Sequence, residues 1–258
     1  MGIGRATAIR CAELGMPVCL VDLDGSELEA ATDATTKAAT QGGGTVLAYP
    51  ADVSDFEQMQ ALASHVIKEF GAPQFLMNNA VTRIGREKPV ELKQWRRAMD
   101  VNFWGVVNGV EVFRQAMTLT DKDGCIVNVG SKQGITNPPG NTIYNTCKAA
   151  VKHYTEALEH ELRNEGGARV TAHLLIPGWT TTGKAEHKQG AWLPTQVVQF
   201  MIDAVNERSF YVLCPDDEVT AEMDRKRVEW AAGDITENRP PLSRWHPDFK
   251  DIAAKACN

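Results

Sequence analysis

Short apolar runs recur along the chain: VCLV at 18–21, TVLAY at 45–49, QFLM at 74–77, CIVNV at 125–129, VTAHLLI at 170–176 and FYVLC at 210–214. Between them lie longer stretches in which apolar residues return every three or four positions, as in FEQMQALASHVIKEF at 56–70. That period suits a helix burying one face, whereas short unbroken apolar runs suit strands covered on both sides. The alternation predicts βαβ units, hence an α/β fold built on a parallel sheet with right-handed crossovers. The glycines at 42–44 read as a turn before a strand. There is no internal repeat and no Gly/Ser linker.

Past residue 215 the pattern changes. DDEVTAEMDRKRVEWAAGD reads as a charged surface helix, and the prolines of RPPLSRWHPDF forbid a regular element there. The expected organisation is one domain over residues 1–215, followed by a helix and tail over 216–258 that pack on this domain or on a second subunit.

A chain of 258 residues is long enough to bury one large α/β core. Its formal charge of -6 argues against nucleic acid or an anionic membrane as partner, which leaves small molecules. The six cysteines are scattered, with no CxxC pair and no clustered histidines, so free thiols in a reducing compartment and no metal site are expected. No apolar run is long enough to span a bilayer, and MGIGRATAIR lacks the apolar core of a signal peptide, so a cytoplasmic location is expected.

The candidate chemistry centres on Tyr144 and Lys148, one helical turn apart in YNTCKAAVKHYTEAL and therefore on one face. Such a pair is by itself a common feature of solvated helices. Here Ser131 precedes it directly after the CIVNV strand signal, and Asn102 lies upstream in VNFWG. A phenol, with a pKa near 10, is a poor base at neutral pH, but a neighbouring ammonium favours its ionised form. Tyr144 with Lys148 beside it thus suits proton transfer to or from an oxygen, while the Ser131 hydroxyl can donate a hydrogen bond to that oxygen.

In order and spacing, Asn102, Ser131, Tyr144 and Lys148 resemble the catalytic tetrad of the short-chain dehydrogenase/reductase family. Other segments are similar to family motifs: Asn78-Asn79-Ala80 to the NNAG turn, Ala51-Asp52-Val53 to the adenine-contacting aspartate segment, Pro177-Gly178 with Thr180 and Thr182 to the nicotinamide loop, and Gly2-Ile3-Gly4 to the end of the glycine-rich TGxxxGxG turn. The resemblance runs from Gly2 to about residue 215 and implies a Rossmann-like doubly wound parallel sheet. It also implies that Gly2, Ile3, Gly4, Asp22, Asp52, Val53, Asn79, Ala80, Tyr144, Lys148, Pro177, Gly178, Thr180 and Thr182 contact a nicotinamide dinucleotide. In such proteins the lysine also holds the nicotinamide ribose and the asparagine sustains a water chain to bulk.

A carboxylate at Asp22, where VCLVD ends, would accept from the adenosine 2′-hydroxyl and repel a 2′-phosphate, which favours NAD over NADP. Asp24, two residues on, is a rival for that role, and a plain strand-ending aspartate is the bland alternative. The sequence begins inside the glycine motif, with the family's usual first strand, threonine and first glycine absent. That strand lies mid-sheet in the family, so its two neighbours are expected to lack a partner.

Substrate contacts in the family come from the loop at 81–89, where Arg83 and Arg86 could meet an acidic group although solvated loop charges are the commoner case, from residues flanking Ser131, and from 179–192. Gln133 and Trp179 are the candidate substrate residues. Trp104, Trp179 and Trp192 could floor a pocket, although core or interface is the commoner place for tryptophan. His187 and His246 have no partner motif. Family members usually pair through the helices that here carry Trp104 and Tyr144, which implies a homodimer or homotetramer. The expected function is an NAD-dependent oxidoreductase interconverting a secondary alcohol and a ketone. The alternatives are a non-catalytic binding or scaffold protein with impaired cofactor binding, and use of the same tetrad for epimerisation or dehydration.

Overall fold

The computed structural model describes residues 2–82, 91–165, 167, 169–183 and 186–257. In chain order the elements are α1 (Ile3–Glu13), β1 (Val18–Asp22), α2 (Ser26–Gly42), β2 (Val46–Pro50), α3 (Phe56–Phe70), β3 (Phe75–Asn78), α4 (Leu92–Met99), α5 (Gly105–Thr118), β4 (Gly124–Val129), α6 (Gln133–Thr136), α7 (Thr142–Asn164), β5 (Val170–Ile176), α8 (Pro194–Asn206), β6 (Tyr211–Leu213), α9 (Ala221–Thr236) and α10 (Lys250–Cys257). A π-helical turn, Asp100–Trp104, joins α4 to α5. Every expected strand forms. Local chemistry sets several helix ends: Asp55 accepts from the Glu57 and Gln58 amides at the start of α3, and Gly71, at φ 79°, ends it.

All strand pairings are parallel, but the strands fall into two sheets, β1-β2 and β3-β4-β5-β6. Among the described residues no strand lies between β1 and β3. The break shows in burial: β4 and β5 are largely buried, whereas every residue of β3 is only half-buried.

Shared helices hold the two sheets together. On one face Leu62, Val66, Phe113 and Met117 of α3 and α5 cover Ile126, with Cys19 and Val21 of β1 and Leu76 of β3 against the same cluster. On the opposite face α1 reaches both sheets. Its Ile3 and Ala6 join Val127, Val129 and Leu175 under α8, while its Ala8 packs with Leu20 of β1 and Leu28 of α2. Successive residues of β4 point to opposite faces, and both faces are covered, so CIVNV is apolar almost throughout rather than alternating.

The segment RPPLSRWHPDF contains a regular element after all, a 3-10 turn at Ser243–Trp245. Its prolines, Pro240, Pro241 and Pro247, flank the turn rather than interrupt it. The C-terminal α9 packs against α6 and α10 against α9. Among the described residues no helix is long and apolar enough to cross a membrane.

Candidate active site

The expected site residues cluster where five parallel strands end. Asp22 closes β1, Asp52 and Val53 follow β2, Asn79 and Ala80 follow β3, Ser131 follows β4, and Pro177 and Gly178 follow β5. The carboxyl ends of parallel strands are where open α/β sheets bind ligands, because the loops there diverge around a crevice.

The Tyr144–Lys148 pair lies in the first turns of α7, with the ammonium 5.8 Å from the phenol ring centroid. Lys148 is 2% exposed, and its Nζ donates to the Val129 carbonyl at 2.7 Å. Burial pulls its pKa down from 10.5 to about 8, with a small opposing effect from Cys147, so the amine stays largely charged at neutral pH. Ser131 is held against this turn. Its hydroxyl accepts from the Gln133 amide at 3.2 Å, and α6 packs so tightly on α7 that a Cβ at Gly134 would lie 2.5 Å from the Lys148 carbonyl carbon.

Asn102 sits in the π-helical turn, where its side chain contacts Cys147 and bridges both backbone groups of Thr82. Its Oδ1 accepts from the Thr82 amide at 2.7 Å and its Nδ2 donates to the Thr82 carbonyl at 3.1 Å. Single π-turns are frequent at functional sites, and this one turns a buried amide toward the strand-end loop after β3.

On the cofactor side, Gly2 precedes α1 with no side-chain cap, so the first amides of the helix have no intrahelical acceptor. A Cβ on Gly4 would lie 2.6 Å from Asn79 Nδ2, and one on Gly2 would lie 3.5 Å from Thr182 Cγ2. The glycine turn, the loop after β3 and the loop after β5 thus meet around a helix N-terminus, an arrangement that fits the diphosphate of a dinucleotide. Thr180 Oγ1 donates to the Gly178 carbonyl at 3.2 Å, which tightens that loop. Exposed Asp22 accepts from its neighbour's amide at 2.8 Å, and its carbonyl accepts from the Ala51 amide at 2.9 Å. Asp24 is exposed in the turn that follows. Asp52 is tied down on both oxygens, accepting from Ser54 and from Arg97 of α4, which hold its carboxyl below the usual range against the opposing effect of burial. Val53 packs under Gly105, where a Cβ would meet its Cγ2 at 2.6 Å.

Gln133 spends its side-chain oxygen on Asn141 Nδ2 at 3.1 Å. Core packing, the commoner role for tryptophan, does not describe Trp104 or Trp179, which are 50% and 44% exposed; Trp192 packs on Phe200 and donates to Asp217. Trp104 is the exposed last residue of the π-helical turn, and Trp179 lies in a loop beneath Lys188. Arg83 and Arg86 lie outside the described residues. No group of His, Cys, Asp or Glu among the described residues could hold a metal ion.

A family model of short chain dehydrogenases matches residues 1–191. The chain belongs to the short-chain dehydrogenase family. A 3-oxoacyl-acyl-carrier-protein reductase of Synechocystis sp. is 30% identical over 187 residues, 72% of this chain and 73% of the relative. SadH of Mycobacterium tuberculosis is 36% identical over 162 residues, 62% of this chain; the chain spans 57% of SadH's length. The crystal structure of a short chain dehydrogenase/reductase from Burkholderia phymatum in complex with NAD superposes with a TM-score of 0.79 at 30% identity, covering 93% of this chain and 92% of that one. The fold is accordingly α/β and Rossmann-like.

Tertiary structure adds a part to this family site that motif spacing does not reveal. Lys132, next to Ser131, pairs with Asp224 of α9 at 2.6 Å and with Asp216 at 3.4 Å, both carboxylates being almost wholly buried. Asp216 also accepts from the Trp179 amide at 3.0 Å. This cluster ties the serine loop, the loop after β5 and the C-terminal helix together. Its only trace in the sequence is a lysine adjoining the serine, since its carboxylates lie more than 80 residues away.

Proposed function

We propose that this protein is an NAD-dependent oxidoreductase that interconverts a secondary alcohol and a ketone. The observation carrying this reading is the buried ammonium of Lys148 beside the Tyr144 ring, with the Ser131 loop packed on the same helical turn. A nicotinamide bound at the strand ends supplies hydride transfer at carbon. Tyr144 moves the proton at the substrate oxygen, Lys148 favours the phenolate that accepts it, and Ser131 donates a hydrogen bond to the same oxygen. Gly2, Ile3 and Gly4 would hold the diphosphate, Asp22 the adenosine ribose, Asp52 and Val53 the adenine side, and Asn79, Ala80, Pro177, Gly178, Thr180 and Thr182 the remainder of the cofactor. Asn102 would sustain the water path through the loop at Thr82, and Gln133 and Trp179 would border the substrate. Asp22 is the basis for preferring NAD, as in the Burkholderia relative, over NADP. We infer one catalytic domain over residues 1–215 with the segment 216–258 packed upon it, a homodimer or homotetramer, and a cytoplasmic setting suited to six unpaired thiols.

The test is Tyr144→Phe. Turnover of NAD with a panel of secondary alcohols should fall by about a hundredfold or more with the melting temperature retained, and activity close to wild type would refute the assignment.

A second reading, a non-catalytic binding or scaffold protein of the same fold, draws on the break between β1 and β3. NADH titration followed by fluorescence separates the two. Submillimolar binding supports the enzyme, and its absence the scaffold.

A further inference from the structure

Outside the tetrad, the C-terminal segment encloses a cavity of about 280 Å³ between α9, the 3-10 turn and the far end of α6. Three arginines line it, Arg227, Arg239 and Arg244, together with Trp230 and Trp245. The arginines are not equivalent. Arg239 is structural: it lies over the Trp230 ring at 4.1 Å, donates to the Trp230 carbonyl at 2.6 Å and pairs with Asp234 at 3.2 Å.

Arg227 and Arg244 have no such commitments. Among the described residues neither guanidinium makes a hydrogen bond or an ion pair, and the Nε of Arg227 is buried without an acceptor. Arg244 lies over Trp245 at 5.0 Å. Burial, and then the charge of Arg227, holds Arg244 below its usual pKa range against the smaller opposing effects of Cys257 and Asp224. Among the described residues the nearby acids are Asp224 and Asp234; Asp224 acts on both arginines through space but makes no ion pair with either, and both carboxylates have closer partners. Asp224 is paired with Lys132, and Asp234 accepts from Ser243 and from Arg239. Two half-buried like charges with unfilled donors, beside indole faces, form a site whose missing component is an anion.

We propose that this cavity binds a small organic carboxylate with a flat apolar body, the carboxylate between Arg227 and Arg244 and the body against Trp230 and Trp245. The volume lies at the lower limit of ligand pockets, enough for a single ring with its acid group and too small for a nucleotide. The site is independent of the tetrad, although it shares α6 with the Ser131 loop.

Benzoate and its uncharged counterpart benzamide test this on the intact chain, by calorimetry and by intrinsic tryptophan fluorescence. Benzoate should bind saturably and about tenfold or more tighter than benzamide. Arg227→Met and Arg244→Met should each weaken benzoate by about tenfold or more, whereas Tyr144→Phe should leave it unchanged. Equal binding of the two ligands, no saturable benzoate signal, or unweakened binding in an arginine variant that keeps its melting temperature would overturn the proposal. Should an arginine variant fail to fold, Trp245→Phe decides, since half-exposed Trp245 should carry part of the fluorescence change; an unaltered change in that variant also overturns it.

Discussion

Lys148 donates a hydrogen bond to the carbonyl of Val129, the last residue of β4, so its ammonium is anchored by the strand that delivers Ser131. Helix α7 and the serine loop are thereby registered against each other through one buried cation.

That burial makes a prediction about stability. The folded-state pKa of Lys148 lies near 8 and the ordinary value is 10.5, so between these limits the unfolded chain binds more protons than the folded one. Stability from this residue is therefore absent below about pH 8 and gained as pH rises to 10.5. Denaturant unfolding at pH 7 and pH 10.5 should show wild type gaining about 3 kcal/mol relative to Lys148→Met. Parallel profiles for the two proteins would contradict it.

Gly134 is the contact that lets α6 sit on α7. A methyl group there meets the Lys148 backbone at 2.5 to 2.7 Å, where no side chain can rotate away. Gly134→Ala should cost about 1–3 kcal/mol and, by shifting Ser131, lower turnover more than it weakens NADH binding. Melting curves and a kcat comparison check this.

Lys132 is the ion-pair partner shared by two carboxylates that are 4% and 6% exposed. Replacing it with methionine strands both charges and should destabilise the fold by about 3–5 kcal/mol, read from urea midpoints. A change well under that range would mean that water reaches Asp216 and Asp224.

The break between the sheets predicts a pattern of amide exchange. Val18 donates to Thr45, and Gln74 accepts from Cys125, so alternation turns the amides of Cys19, Val21, Phe75 and Met77 toward the break. Hydrogen exchange followed by NMR should be faster at these four than at Leu20 and Leu76, and slowest in β4 and β5. Uniform protection across β1 and β3 would show that something pairs with their open edges.

Much of this was legible in the sequence for local reasons. Strands, the α3 and α7 helices and the Tyr144–Lys148 face follow from periodicity, and the strand-end placement of Ser131, Asn79 and Gly178 follows from each lying just past an apolar run. The cofactor and tetrad assignments rest on resemblance to family motifs, each a short segment that can be recognised without knowing what packs against it.

What spacing could not show is what distant segments do to one another. The pairing of Lys132 with Asp216 and Asp224, the exposure of Trp104 and Trp179, and the gathering of Arg227 and Arg244 in one cavity depend on how the C-terminal segment lies on α6. Likewise, alternation predicted parallel pairing and the family resemblance predicted the gap between β1 and β3, whereas the bridging of the two sheets by α1, α3 and α5 depends on packing. Hydrophobic period is a property of a segment and its own covered face; charge pairing, burial depth and strand neighbours are properties of the space between segments, which only packing creates.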